Sequence, residues 1–186
     1  MKKSMPWIRC AGFLVGLAVI LGICDFCFAP SGYVRFILHE VNRKDMQYDT
    51  IILGASHARS AINPEYLDEE LGTNTLNLAI PGETVKDAYY LLKDACESND
   101  VKTVIMDVDY QYWMDEQPQG YFTEPFICQN ITNLKVKTEY LLDNWDTIDL
   151  RNVLVRRLSW DCTWSSVKQN VSTKMTEAYR EYSIEA

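Results

Sequence analysis

Thr50-Ile51-Ile52-Leu53-Gly54-Ala55-Ser56-His57-Ala58-Arg59-Ser60 is the stretch whose reading decides the fold. Its first four residues form a short apolar, β-branched run without polar alternation, as expected of a parallel strand buried on both faces. Gly54 ends the run, so the strand enters a tight turn of Gly, Ala and Ser. In an open parallel α/β sheet the carboxyl ends of the strands line the ligand crevice, and Ser56 would sit at that crevice. Backbone N–H groups at the start of the following helix favour negative charge that develops there.

Further along, Asn63-Pro64-Glu65 reads as a helix start, with Asn63 as cap and Pro64 in the first turn. That helix is expected to run to Leu71 and to stop at Gly72. Residues 75–80 (TLNLAI) form a second strand, and Pro81-Gly82 a turn. Thr84 begins a second helix, whose apolar positions Ala88, Tyr89, Leu91, Leu92 and Ala95 recur at three and four residues and are expected to bury one face. Residues 102–108 (KTVIMDV) form a third strand. Strand, helix, strand, helix, strand with short turns predicts a parallel sheet with right-handed crossovers.

Past Tyr110 the alternation fades. Residues 111–128 are rich in aromatics, Pro and Gly and read as a long loop. Residues 134–160 have helical spacing with a break near 143–146, and the last twenty or so residues read as at most a frayed helix. Three parallel strands leave two exposed edges and little core, whereas parallel sheets are normally covered. The sheet is therefore expected to be incomplete: it has further strands in the C-terminal third, or a partner chain completes it, or the fold is a shortened version of a larger one.

Toward the N-terminus, residues 7–29 read WIRCAGFLVGLAVILGICDFCFA. With Arg9 and Asp25 snorkelling at the ends, this segment is long enough to cross about 30 Å of hydrocarbon. It reads as an uncleaved anchor rather than a cleaved signal peptide, because Pro30 would directly follow the cut. Lys2, Lys3 and Arg9 before the span favour an N-terminus that stays inside, Arg35, Arg43 and Lys44 after it nearly balance them, and the expectation is a single-pass cell-membrane protein with an extracytoplasmic C-terminal domain. Residues 1–30 are thus the anchor, 31–48 a juxtamembrane stalk, and 49–186 the α/β domain.

The 186 residues carry a formal net charge of −8, which argues against nucleic acid as a partner, since phosphate binding needs clustered Lys and Arg. The cysteines Cys10, Cys24, Cys27, Cys96, Cys128 and Cys162 show no zinc-type spacing with histidine. A Cys128–Cys162 disulfide is open outside the cell, though nothing in the sequence selects it. No cofactor or metal motif is present.

Gly54-Ala55-Ser56-His57-Ala58, followed by Ile62-Asn63-Pro64, resembles the first block of the SGNH/GDSL hydrolase superfamily. More narrowly, it is similar to the membrane-anchored bacterial branch of DltD-like proteins and cell-surface polysaccharide O-acetyltransferases. Asn77-Leu78-Ala79-Ile80-Pro81-Gly82-Glu83 resembles the second block, and Val104-Ile105-Met106-Asp107-Val108-Asp109 the third strand. The resemblance covers about residues 48–112. It implies a three-layer α/β/α, flavodoxin-like sheet, with Ser56 as nucleophile and the Gly82 backbone N–H in an oxyanion hole. It further implies an esterase or O-acyltransferase acting on cell-surface polysaccharide or another acyl-bearing glycan.

The departures concern the base. Serine needs a partner to take its proton. The only histidines are His39, in the expected stalk, and His57, whose adjacency to Ser56 is an awkward geometry for a Ser–His pair. Asp107 and Asp109 stand where many members carry an oxyanion asparagine; either could orient a base, bind a metal or merely finish the strand. The family's closing Asp-x-x-His has no counterpart after His57. Ser56 and Gly82 are therefore the leading candidates, with Asp109 and His57 as helpers, and little or no activity is expected of the chain alone. The competing expectation is a non-catalytic membrane-anchored relic or interaction domain that needs a partner chain.

Overall fold

The computed structural model describes residues 6–29, 33–108, 123–146, 148 and 162–175. The fold is mixed α/β, built on a three-stranded parallel sheet. In chain order the elements are α1 (Pro6–Phe28), α2 (Tyr33–Glu40), β1 (Thr50–Leu53), α3 (Ser56–Ala61), α4 (Pro64–Leu71) and β2 (Thr75–Asn77). There follow α5 (Val85–Ser98), β3 (Thr103–Met106), α6 (Thr123–Asn130), α7 (Leu134–Asp143) and α8 (Trp164–Met175).

The strand order is β2-β1-β3, with Thr50 opposite both Thr75 and Thr103. β1 is central and wholly buried, as its unbroken apolar run requires. The ladder outlasts the strand assignments: Leu78 N–H donates to Ile52 (2.9 Å), Ile80 N–H to Gly54 (3.1 Å) and Asp107 N–H to Leu53 (2.9 Å). The chain moves one way from β1 to β2 and back across β1 to reach β3. With right-handed crossovers, that reversal sends the two connections to opposite faces.

One face packs Ile51, Leu53, Leu78 and Ile80 against α2, α5, α6 and α7, with Leu38, Leu91, Ile127 and Tyr140 at 0% exposure. The other packs Ile52 and Ala79 on Ala58 of α3, with half-buried Ile62, Leu67 and Ile105 around them. Two polar knots close the sheet at its amino end. The Asp49 carbonyl accepts from Lys102 and Thr103 N–H, and its carboxylate accepts from Asn74 N–H. The bond from Asn74 N–H, with another from the Thr50 hydroxyl, holds the Asp49 carboxyl below its ordinary pKa.

The helix signals have the physical basis their sequences suggest. The Asn63 side chain accepts from Glu65 N–H, Pro64 occupies the first turn of α4, and Gly72 closes it at φ 67°. Thr84 and Asp87 form a reciprocal capping box on α5. The Asp87 carboxylate also accepts from the buried Tyr140 hydroxyl at 2.6 Å, which docks α7 on the start of α5.

Several expectations are corrected. Residues 31–48, read as a stalk, contain α2, whose Phe36, Ile37 and Leu38, with the following Val41, are buried in the main core. The loop expected over 111–128 becomes helical at Thr123, and Ile127 and Cys128 face inward. The polar C-terminal region holds a twelve-residue helix, α8, packed on α1. Cys128 and Cys162 are free thiols, the first buried and the second exposed, so the open disulfide pairing is not made. Burial pushes the Cys128 thiol up to about 11, which keeps it protonated and inert. The break expected near 143–146 coincides with the end of α7; residues 149–160 lie outside the described residues.

α1 is long and apolar enough to cross a membrane, and every residue from 7 to 20 is exposed.

Candidate functional site

The candidate site lies at the carboxyl ends of the three strands. In the order β2-β1-β3, the chain leaves β1 toward β2 on one side and returns across β1 to reach β3 on the other, so the strand order reverses about β1. Ser56 is there, exposed, as the first residue of α3. Among the described residues its hydroxyl has no hydrogen-bond partner.

Gly54 is the residue that permits this turn. Its φ is +149°, and a Cβ on it would lie 2.7 Å from the Ala58 Cβ and 2.9 Å from the Asp107 Cβ. No side chain fits between the start of α3 and the end of β3. Close backbone approach therefore brings the β1 turn and Asp107 together.

The β2–α5 turn is tied to the same point by Glu83, which sequence reading passed over as a site residue. Its side chain is 1% exposed, and its two carboxylate oxygens accept from different turns: Oε1 from Gly54 N–H (2.9 Å) and Oε2 from Ile80 N–H (3.0 Å). A buried carboxylate spanning two backbone donors is a charge-assisted clamp. It fixes the relative positions of the serine turn and of Gly82, which lies one residue before Glu83 at φ 79°. No spacing rule marks Glu83; the sole clue is an acidic residue directly after Pro81-Gly82.

A second clamp involves Asn77 on the last β2 position. Its Nδ2 donates to the Ala58 carbonyl (3.1 Å) and the Ile62 carbonyl (3.3 Å), while its Oδ1 accepts from Ala79 N–H. The carbonyls at the end of α3 are thus satisfied from beneath, and the short helix carrying Ser56 is held to the sheet.

The structure therefore ties the turn before Ser56, the turn of Gly82 and the Asp107 end of β3 together at the carboxyl ends of the strands. His57 is adjacent and exposed, and no hydrogen bond joins it to Ser56 among the described residues. His39 is exposed on α2, which packs on the sheet face opposite α3. Asp109 lies outside the described residues. Arg59 is half-buried in the last turn of α3. Among the described residues no three His, Cys, Asp or Glu side chains gather as metal ligands. The arrangement can present a hydroxyl beside backbone donors at the end of a central strand.

Comparison with protein families, with curated proteins and with solved structures finds no match for this chain.

Proposed function

We propose that this is a membrane-anchored SGNH-type serine esterase or O-acyltransferase-like protein, with α1 as a single-pass anchor and the α/β domain outside the cytoplasm. Ser56 Oγ forms an ester with the acyl carbon of a cell-surface glycan substituent. The glycan oxygen leaves with a proton, and water or a second hydroxyl then takes the acyl group. The backbone N–H groups of Ser56 and Gly82 hold the oxyanion. The hydroxyl proton passes to a base for which Asp109 and His57 are the nearest candidates in sequence. The observation that carries this reading is the Glu83 clamp, a buried carboxylate that spends both oxygens on registering the serine turn against the Gly82 turn. Such preorganisation is what oxyanion stabilisation needs.

The test is acyl trapping. The detergent-solubilised chain is incubated with p-nitrophenyl acetate and digested for mass spectrometry. An acetyl group on the Ser56 peptide, absent from Ser56→Ala, is the expected result; acetylation that is unchanged in Ser56→Ala contradicts the assignment.

A second reading is a non-catalytic anchored module that needs a partner chain. It is favoured by β3, where Val104 and Met106 are 43% and 39% exposed although β1 beside them is buried. The backbone groups of Val104 and Met106 point away from β1, as an edge that accepts another strand requires. A folded chain that never acylates, and that does so once a partner is added, would select this reading.

A further inference from the structure

The helix α8 has an unusual seat. The last carbonyls of α1 lack intrahelical partners, as at every helix end. They are satisfied from α8: Lys174 Nζ donates to the carbonyls of Phe26 (2.7 Å) and Ala29 (2.6 Å), and Asn170 Nδ2 to that of Cys27 (3.4 Å). The Lys174 ammonium also lies over the Phe26 ring. Residues 21, 24, 25, 27 and 28 of α1 are half-buried, whereas all those from 7 to 20 are exposed, so α8 covers only the last two turns.

That position fixes a depth. The 22 residues Trp7–Phe28 span about 33 Å at about 1.5 Å per residue, close to the thickness of a hydrocarbon core of about 30 Å. If α1 crosses a bilayer, its last turn lies at the hydrocarbon boundary, and α8 lies there with it.

The composition of α8 suits that layer. Its sequence WSSVKQNVSTKM holds Lys168 and Lys174 and no acidic residue, in a chain whose net charge is −8. The side chains that pack on α1 include Asn170 and Lys174. Trp164, Lys168, Ser172 and Met175 form an exposed stripe more than a third of a turn round the helix from Asn170 and Lys174, at roughly 100° per residue. Trp164 is 82% and Met175 73% exposed. A flanking stripe with Trp at one end, Met at the other and Lys between them matches an interfacial helix, and Trp in particular favours the headgroup level.

We propose that α8 is a second membrane contact, lying in the headgroup layer beside the end of α1, with Trp164 and Met175 in lipid and Lys168 on anionic headgroups. The proposal rests on the reading of α1 as the anchor. It gives the domain two points of attachment, which limits its rotation about α1.

The experiment is quenching of tryptophan fluorescence in the full chain, reconstituted into phosphatidylcholine–phosphatidylglycerol vesicles containing brominated lipid. Difference signals against Trp164→Phe and Trp7→Phe isolate the two residues; both are exposed, so neither change disturbs packing. We expect Trp164 to be quenched comparably with Trp7, and Lys168→Glu to reduce the quenching of Trp164 while leaving Trp7 unchanged. Quenching of Trp7 without quenching of Trp164 overturns the interfacial role of α8 and leaves the anchor standing. Quenching of neither overturns the anchor, and the proposal with it. Quenching of Trp164 that is indifferent to Lys168→Glu overturns the anionic headgroup contact.

Discussion

The two faces of the sheet are built to different depths. On one, α2, α5, α6 and α7 lay a continuous apolar layer over Ile51, Leu53, Leu78 and Ile80. On the other, the buried apolar residues among those described are Ile52, Ala58 and Ala79, with Ile62, Leu67 and Ile105 only half-buried beside them. The thin face is held instead by polar pins, with Asn77 on the α3 carbonyls and Glu83 on the Gly54 and Ile80 amides. Apolar burial tolerates small shifts, while hydrogen bonds fix distance and direction. The thick face supplies stability and the thin face supplies geometry, and the exposed serine is on the thin one.

The largest effect that would break this division is on the thick face. Leu38→Ala removes a fully buried side chain of α2 and should cost about 2–5 kcal/mol, read as a lowered urea midpoint. Ile62→Ala on the opposite face should cost clearly less. Near-equal losses would show the faces to be alike, and a negligible loss for Leu38→Ala would return α2 to the status of a stalk.

Gly54→Ala comes next. The added Cβ meets Ala58 and Asp107 at under 3 Å, and the positive φ is strained for any L side chain. A cost of about 1–3 kcal/mol is expected, together with loss of Ser56 acylation. Retained acylation would mean that the turn has slack.

Glu83→Gln keeps the shape of the side chain but offers one carbonyl oxygen to two buried donors. The clamp then loses one of its two charge-assisted bonds, at about 1–3 kcal/mol, although Ile80 N–H keeps its bond to the Gly54 carbonyl, and the serine turn loosens. Hydrogen exchange at Gly54 and Ile80 should speed up in this variant; unchanged exchange would contradict the clamp.

A smaller effect belongs to Asp94, buried between α5 and the start of α7, where it accepts from Asn42 Nδ2 (3.0 Å) and Asn133 N–H (3.2 Å). Burial raises its pKa above the ordinary Asp value and outweighs those hydrogen bonds. The folded chain then holds the proton longer than the unfolded one. The contribution of Asp94 to stability therefore falls as pH rises from the ordinary Asp range through the raised value, and is flat above it. Urea midpoints across the acid range should show that decline in the parent and not in Asp94→Asn; parallel profiles would remove the assignment.

How much of this was legible in the sequence follows from range. Caps and turns act within four residues, so Asn63, Pro64, Gly72 and Thr84 marked their helices correctly. β1 was legible because burial on both faces leaves an uninterrupted apolar run. The helix α2 was missed because its eight residues carry Arg35, His39 and Glu40 among the apolar ones, and only docking shows that Ile37 and Leu38 face a core. α8 was missed for a related reason: its contacts with the end of α1 reach across 145 and 148 residues of chain. In the site, Ser56 stood out by its turn after β1, and Gly82 only through the resemblance to the second family block. Glu83 did not, because its role is to bridge two turns that only the sheet brings together.

The most direct measurement is fluorophosphonate labelling of the folded, solubilised chain, with the adduct mapped by mass spectrometry in the parent, in Ser56→Ala and in Glu83→Gln. Ser56 is exposed, so Ser56→Ala should change stability by no more than about 0.5 kcal/mol, and lost labelling there cannot be ascribed to unfolding. The account predicts an adduct on Ser56 that vanishes in Ser56→Ala and weakens in Glu83→Gln. A folded parent chain that takes no label, or labels equally in Ser56→Ala, would contradict it.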